Sequence, residues 1–263
     1  MEIYLCDIKE LNIAERYEQL LTGLSVEEQR AITRFRQEEG RHRALVRELL
    51  LRRVLRETFG EVRIVLGKNA HGKPFIEEII DGNGHFCMIE HTDEAKRRQA
   101  KEEEKDGCNP ADRKEGYRGM SQTDGEDGYA LFDFSISHSG DFVAIGFGSG
   151  RIGIDVEQVG RAKDFISLLR FYSEAERQWV LDAADPEDEF YRVWTFREAF
   201  SKEEGVGLSL FEKEDAAIDY AKRRVAFNGT EYGFFEYALP GYHLTACAAA
   251  AGERPGLTVL SSI

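Results

Sequence analysis

From Ala95 to Gly128 the chain reads AKRRQAKEEEKDGCNPADRKEGYRGMSQTDGEDG, with almost no large aliphatic side chain. Such a run cannot bury enough apolar surface to offset the entropy of ordering it. A structureless loop of this length is uncommon inside a compact domain. It therefore reads as a mobile insertion over about residues 81–130, with a short solvated helix around Ala95–Lys105. The 13 acidic and 8 basic groups of residues 81–130 contribute −5 to the charge. The cores must come from the chain on either side.

The 263 residues are 42% hydrophobic and 32% charged, with 35 basic and 49 acidic side chains, so 35 − 49 = −14. That suits a soluble globular chain of one large domain or two modest ones. No stretch approaches the roughly 20 apolar residues of a membrane span. The start, MEIYLCDIKEL, carries Glu2, Asp7, Lys9 and Glu10 and lacks a signal peptide's apolar centre. A cytoplasmic location with no membrane partner is expected. Cys6, Cys87, Cys108 and Cys247 are far apart with no CxxC pair, which predicts reduced thiols rather than disulfides or a zinc site. The acidic balance argues against general nucleic-acid binding.

Arg30 to Arg56 contains nine arginines against Glu38, Glu39 and Glu48, a local +6. Leu45, Val46, Leu49, Leu50 and Val54 recur at spacings of three and four, which marks an amphipathic helix. Its polar face is either a solvated arginine surface or an anion cradle, since guanidinium forks grip phosphate oxygens in pairs.

Beyond the insertion, Leu131 to His138 alternates, with Phe132, Phe134 and Ile136 on one face. Ser139-Gly140-Asp141 makes a turn and Phe142–Phe147 a second strand, a hairpin. Gly146, Gly148 and Gly150 then read as a flexible junction. Arg151-Ile-Gly-Ile-Asp-Val-Glu alternates again. Phe165–Val180 and Glu189–Glu204 read as helices, with a capping box at Ser173 and Glu176 opening a further helical stretch. From Arg224 through Tyr232–Ala238 and Tyr242–Ala251 the tail reads as two or three strands. Helix and strand mix twice over, which predicts an α+β fold in two halves, 1–149 and 150–263.

Three constellations can carry chemistry. On a strand, Asp155 and Glu157 share a face while Ile154 and Val156 point to a core. The pair is either a wetted acidic edge or a site for a hard cation. On a helix, Trp194, Glu198 and Lys202 share a face, as a surface ion pair beside a core tryptophan or as a carboxylate and an ammonium over a site. Ser135-Ile-Ser137-His138-Ser139-Gly140 closes a strand, where His138 can donate to a phosphate or serve structurally. No GxSxG elbow is present, which excludes a hydrolase triad of that kind. Asn69-Ala-His71-Gly72-Lys73-Pro74-Phe75 is a turn, and without GxxxxGK[ST] spacing it is not a P-loop.

Taken in order, His71-Gly-Lys-Pro-Phe, Phe134-Ser-Ile-Ser-His-Ser-Gly, Gly153-Ile-Asp-Val-Glu and Trp194-Thr-Phe-Arg-Glu-Ala-Phe-Ser-Lys closely resemble the Sfp-type 4′-phosphopantetheinyl transferases. Glu204-Gly-Val-Gly-Leu-Ser-Leu, Pro240-Gly-Tyr-His-Leu-Thr-Ala-Cys-Ala-Ala and Arg34-Phe-Arg are similar to that family too. The resemblance implies a pseudo-dimer of two similar α/β two-layer halves in one chain, monomeric, with coenzyme A in the cleft between them. It implies that Asp155, Glu157 and Glu198 hold Mg²⁺ against the diphosphate. Lys202 and His138 would contact phosphates, Arg43 the nucleotide end, and Lys73 and Pro74 the adenine, with Ser137 nearby. Arg197 stands where the family usually has lysine, and Gly40 where an acidic residue is frequent. Glu28 and Ala31 stand where some members carry lysines that contact the 3′-phosphate, and Arg30 or Arg34 could substitute.

The implied reaction moves the phosphopantetheine arm of coenzyme A to a serine of an apo acyl or peptidyl carrier protein, releasing 3′,5′-ADP. Glu198 and Lys202 would be its catalytic residues. A non-catalytic coenzyme A or nucleotide binder would keep the cleft without the chemistry, and an anion- or nucleic-acid-binding module would use the arginine helix alone. The three carboxylates and Lys202 are all present, which disfavours the first; the acidic site is left unexplained by the second.

Overall fold

The computed structural model describes residues 1–61, 63–69, 71–80, 86–87, 132–161, 164–205, 207, 217–249 and 253–263. The elements are β1 (Glu2–Asp7), α1 (Ile13–Thr22), α2 (Val26–Thr33), α3 (Glu38–Phe59), β2 (Arg63–Lys68), β3 (Pro74–Ile80) and β4 (Phe86–Cys87). There follow β5 (Phe132–Ser139), β6 (Phe142–Ser149), β7 (Ile152–Gln158), α4 (Phe165–Leu168), α5 (Glu174–Leu181) and α6 (Pro186–Glu204). The last are β8 (Ile218–Asp219), β9 (Arg224–Phe227), β10 (Thr230–Leu239), β11 (Tyr242–Ala249) and β12 (Gly256–Leu260). Most of the expected insertion, with the helix around Ala95–Lys105 and Cys108, lies outside the described residues. So does part of the stretch after Glu204.

The strands form a sheet ordered β12-β1-β6-β5, a second ordered β7-β11-β10-β9-β8, and a small sheet β2-β3-β4. Leu45, Val46, Leu50 and Val54 of α3 pack on Cys6, Phe134, Val143 and Ile145 on one face of the first sheet. Its other face, with Ile3, Leu5 and Ala144, meets Ile152, Ile154, Val156, Leu244 and Ala246 of the second. On the far side of the second sheet, Phe190, Val193, Phe196 and Phe200 of α6 pack on Val225, Phe234 and Cys247. The layers thus run helices, sheet, sheet, helix, an α+β arrangement of two two-layer halves. Cys6 and Cys247 are buried free thiols. Among the described residues no helix is long and apolar enough to cross a membrane.

Several elements depart from the sequence reading. Arg30 to Arg56 is two helices, α2 and α3, broken at Arg34–Gln37. Phe165–Val180 is α4, a 3₁₀ turn at Leu169–Phe171, and then α5, which opens with the expected Ser173–Glu176 capping box. Gly146 and Gly148 are not a junction but part of β6, and Gly146 leaves room for the side chains of Ile152 and Ile154. Neither β1 nor β12 shows polar–apolar alternation, because β1 is covered on both faces. They pair in parallel, Ile3 opposite Leu257 and Leu5 opposite Val259. The chain's last strand therefore lies in the sheet of its first residues.

The two large sheets meet edge to edge along β5 and β7. The backbone amides of Ile152, Ile154, Val156 and Gln158 donate instead to side chains of β5. Their acceptors are Asp133 Oδ2 at 3.2 Å, Ser135 Oγ at 3.1 Å, Ser137 Oγ at 3.2 Å and Ser139 Oγ at 3.1 Å. Acceptors at every second residue match the two-residue period of a strand. Gly140, at φ +53°, turns the chain after Ser139, where a Cβ would overlap Tyr242 and Gln158.

Candidate active site

Helix α6 lies directly on β7. A Cβ at Gly153 would overlap the carbonyl oxygen of Ala199 and the amide of Glu203, so only glycine permits this approach. The close packing lays Lys202, one helical turn beyond Glu198, over the buried Asp155 on the same strand face. Lys202 Nζ stands 2.6 Å from Asp155 Oδ1 and donates to Ser137 Oγ at 3.1 Å. The Ser137 hydroxyl donates to Asp155 Oδ1 at 2.7 Å. The expected helix face holds for Glu198 and Lys202, while Trp194 packs against the core beside Phe190.

Ser139 plays the same part for the second acid, donating to Glu157 Oε2 at 2.6 Å and accepting from Arg161 at 3.3 Å. Burial raises the pKa of Asp155, against the pull of Lys202 and Ser137. Burial, helped by the charge of Asp155, pushes Glu157 up to about 7. Glu198 is raised too, by burial first, with Lys202 opposing and Asp155 adding. Asp155 lies within electrostatic reach of both Glu157 and Glu198, and each of these pairs resists ionising together.

Asp155 Oδ2 is buried and has no hydrogen-bond partner. An orphaned carboxylate oxygen beside two acids of raised pKa is a donor set for a hard divalent cation. Among the described residues no three acidic, histidine or cysteine side chains already converge at ligand distance. Lys202 takes the Oδ1 side of Asp155, and Ser139 holds Glu157.

The other expected residues spread along the β5–β7 seam. Lys73 Nζ is 2.7 Å from Asp133 Oδ2 and donates to Glu203 O at 3.5 Å. Asn69 ties the same turn to the end of α6 through Gly205 O at 2.7 Å. Pro74 opens β3. Four residues of strand, about 13 Å, separate Asp133 from Ser137. Lys73 and Lys202 therefore mark two stations of one strip rather than one point. Arg197 is turned elsewhere. It bonds Phe171 O at 3.1 Å and Glu176 at 3.3 Å and lies over the Tyr172 ring, joining α6 to the segment before it.

His138 faces away from Ser137, towards α3. There it lines a cavity of about 370 Å³ with Arg36, Gln37, Gly40, Arg43 and Arg47. Arg43 is buried and donates to Gly140 O at 3.1 Å. Burial lowers the pKa of His138, and Arg43, Arg47 and Lys202 lower it further. Arg36 closes the Arg34-Phe-Arg motif, whereas Arg47 was not singled out from the sequence. The signal was the stripe Gly40, Arg43, Arg47, spaced three and four along one face of α3. Arg30 and Arg34 do not line this cavity.

Residues 151–247 match a family model described as the 4′-phosphopantetheinyl transferase superfamily, and residues 12–91 match one described as 4′-phosphopantetheinyl transferase, N-terminal. The chain is 26% identical over 256 residues to 4′-phosphopantetheinyl transferase ffp of Bacillus subtilis, covering 94% of this chain and 92% of that one. It is 33% identical over 135 residues to 4′-phosphopantetheinyl transferase Sfp of Bacillus subtilis (strain 168), covering 49% and 60%. To 4′-phosphopantetheinyl transferase psf-1 of Bacillus pumilus it is 26% identical over 268 residues, covering 98% and 93%.

Proposed function

This chain belongs to the Sfp-type 4′-phosphopantetheinyl transferase family, and on that premise we propose that it transfers the phosphopantetheine arm of coenzyme A to a serine of an apo acyl or peptidyl carrier protein. The observation that carries the reading is the cluster of Ser137, Asp155 and Lys202 across the seam between the halves, with Glu157 and Glu198 beside it.

In the proposed reaction the carrier's serine oxygen bonds to the β-phosphorus of coenzyme A. The bond from that phosphorus to the bridging oxygen breaks, and 3′,5′-ADP leaves with the electron pair. Positioning and charge neutralisation dominate such transfers. Asp155, Glu157 and Glu198 would hold Mg²⁺, which when bound supplies the positive charge that lets an acidic pocket accept a diphosphate. Lys202 adds a cation of the protein's own on the leaving-group side. The Ser137 and Ser139 hydroxyls orient Asp155 and Glu157. Glu198 takes the serine proton, directly or through a water; ligation by a cation lowers its basicity, which makes holding the metal its larger role.

The test is intact mass. Candidate apo carriers incubated with this protein, coenzyme A and magnesium gain the mass of one phosphopantetheine arm. Glu198→Ala loses that gain. Binding of coenzyme A with no mass gain on any carrier would make the chain a binder without the chemistry, and a near wild-type rate for Glu198→Ala would remove Glu198 from the site.

A further inference from the structure

Asp155 and Glu157 are each oriented by a serine of β5. Glu198 has no such support: among the described residues its carboxylate makes neither a hydrogen bond nor an ion pair. Its direction is therefore set by the helix that carries it. Gly153 fixes how closely α6 approaches β7, but a helix lying on a strand can still roll about its own axis. Successive side chains on a helix point about 100° apart, so anchoring the residue next to Glu198 fixes Glu198 as well.

That residue is Arg197, which is buried. Its guanidinium donates to Phe171 O at 3.1 Å and to Glu176 Oε2 at 3.3 Å, and stands 4.2 Å from the centre of the Tyr172 ring. One planar fork thus holds the 3₁₀ turn, the residue after it and α5. Lysine, a single point of charge, cannot serve all three. The anchor is itself held in place. Glu176 Oε2 accepts from the amide and the hydroxyl of Ser173 at 2.9 and 3.0 Å, and its Oε1 accepts from the Tyr220 hydroxyl at 2.6 Å. A carboxylate with four donors around it cannot follow α6 if the helix rolls, and losing Arg197 would leave that buried charge without its cation. The charge of Arg197 also reaches Glu198, where with Lys202 it opposes the effect of burial.

Resting on the transferase reading above, we propose that Arg197 is a positioning residue of the reaction: by tying α6 to the segment Phe171–Glu176 it fixes the rotation at which Glu198 faces Asp155 as a fellow ligand of one divalent cation. Arg197 itself touches neither the cation nor coenzyme A.

The test reads metal binding apart from turnover. Magnesium chloride is titrated by calorimetry into the full chain without coenzyme A or carrier. Arg197→Met weakens binding by about tenfold or more, the scale on which supporting residues act on a metal site. Arg197→Lys, which keeps the charge and one acceptor, recovers part of the affinity, and Glu176→Gln weakens it from the other side of the pair. Ser173→Ala removes a hydroxyl from the α5 cap, lowers the melting temperature and leaves magnesium affinity unchanged. In carrier labelling, the magnesium concentration for half-maximal rate rises in Arg197→Met, while KM for coenzyme A at saturating magnesium stays as in wild type. Should Arg197→Met not fold, Arg197→Lys and Glu176→Gln decide the matter by the same titration. Wild-type magnesium affinity in the Arg197 variants, or an equal loss in Ser173→Ala, would overturn the assignment while leaving the transferase reading intact. A wild-type protein that modifies no carrier yet shows this order of magnesium affinities refutes the reaction and supports the role of Arg197.

Discussion

The amide of Ile154 donates to the hydroxyl of Ser135 at 3.1 Å, both buried, across a seam where β5 and β7 meet through side chains rather than a backbone ladder. Ser135→Ala leaves that amide without an acceptor, at a cost of about 1–3 kcal/mol. Denaturant titration is expected to show a lower midpoint with an unchanged slope. Ser137→Ala removes the same kind of acceptor from Val156 and also the donor to Asp155, so it lowers both stability and carrier labelling. A Ser135→Ala protein as stable as wild type would mean the seam is held by packing alone.

Gly153→Ala puts a methyl group where α6 already touches β7. Overpacking of this kind costs about 1–3 kcal/mol, and relief requires the helix to move off the strand. That movement separates Lys202 and Glu198 from Asp155. Unfolding and labelling assays are therefore expected to fall together, with labelling the more affected when measured well below the unfolding temperature.

Divalent cations are expected to stabilise the fold through the orphaned oxygen of Asp155. At magnesium concentrations near a hundred times the dissociation constant, mass action contributes about 2.7 kcal/mol, read as a rise in melting temperature. Asp155→Asn abolishes the rise, and chelation of the metal stops transfer by the wild type. A rise that persists in Asp155→Asn would place the cation elsewhere.

Glu203 is buried on α6, and burial pushes its carboxyl from 4.5 up to about 8. Between those values the folded chain keeps a proton that the unfolded chain has released. The folded state then binds more protons, and stability falls as pH rises through that window. The fall is on the order of a few kcal/mol, since one pKa unit corresponds to about 1.4 kcal/mol. Glu203→Gln, which cannot ionise, flattens the dependence, and chemical denaturation at pH 5 and pH 9 measures it. Identical pH profiles for the two proteins would show that Glu203 titrates normally.

Much of this arrangement was legible in the linear chain. Alternation in Phe132–Ile136 and in Ile152–Glu157 placed Asp155 and Glu157 on one face, and the spacing of Glu198 and Lys202 placed them on one side of a helix. The Ser173–Glu176 capping box also formed as read. These are short-range properties, set by the periods of strand and helix. The parallel pairing of β1 with β12 was not legible, because it joins residues more than 250 positions apart and neither strand carries a polar face to mark it.

The amino-acid order alone determined which residue types would face together within each element, and it carried the motifs that mark the family. Only the tertiary structure decided which of those faces met. Nine arginines between Arg30 and Arg56 look alike in the chain. Packing matched Arg52, Arg53 and Arg56 to carboxylates and left Arg36 and Arg47 beside a cavity. The physical reason is range: periodicity acts over one or two turns, whereas the partner of a buried charge is chosen by whichever distant segment the folded core brings against it.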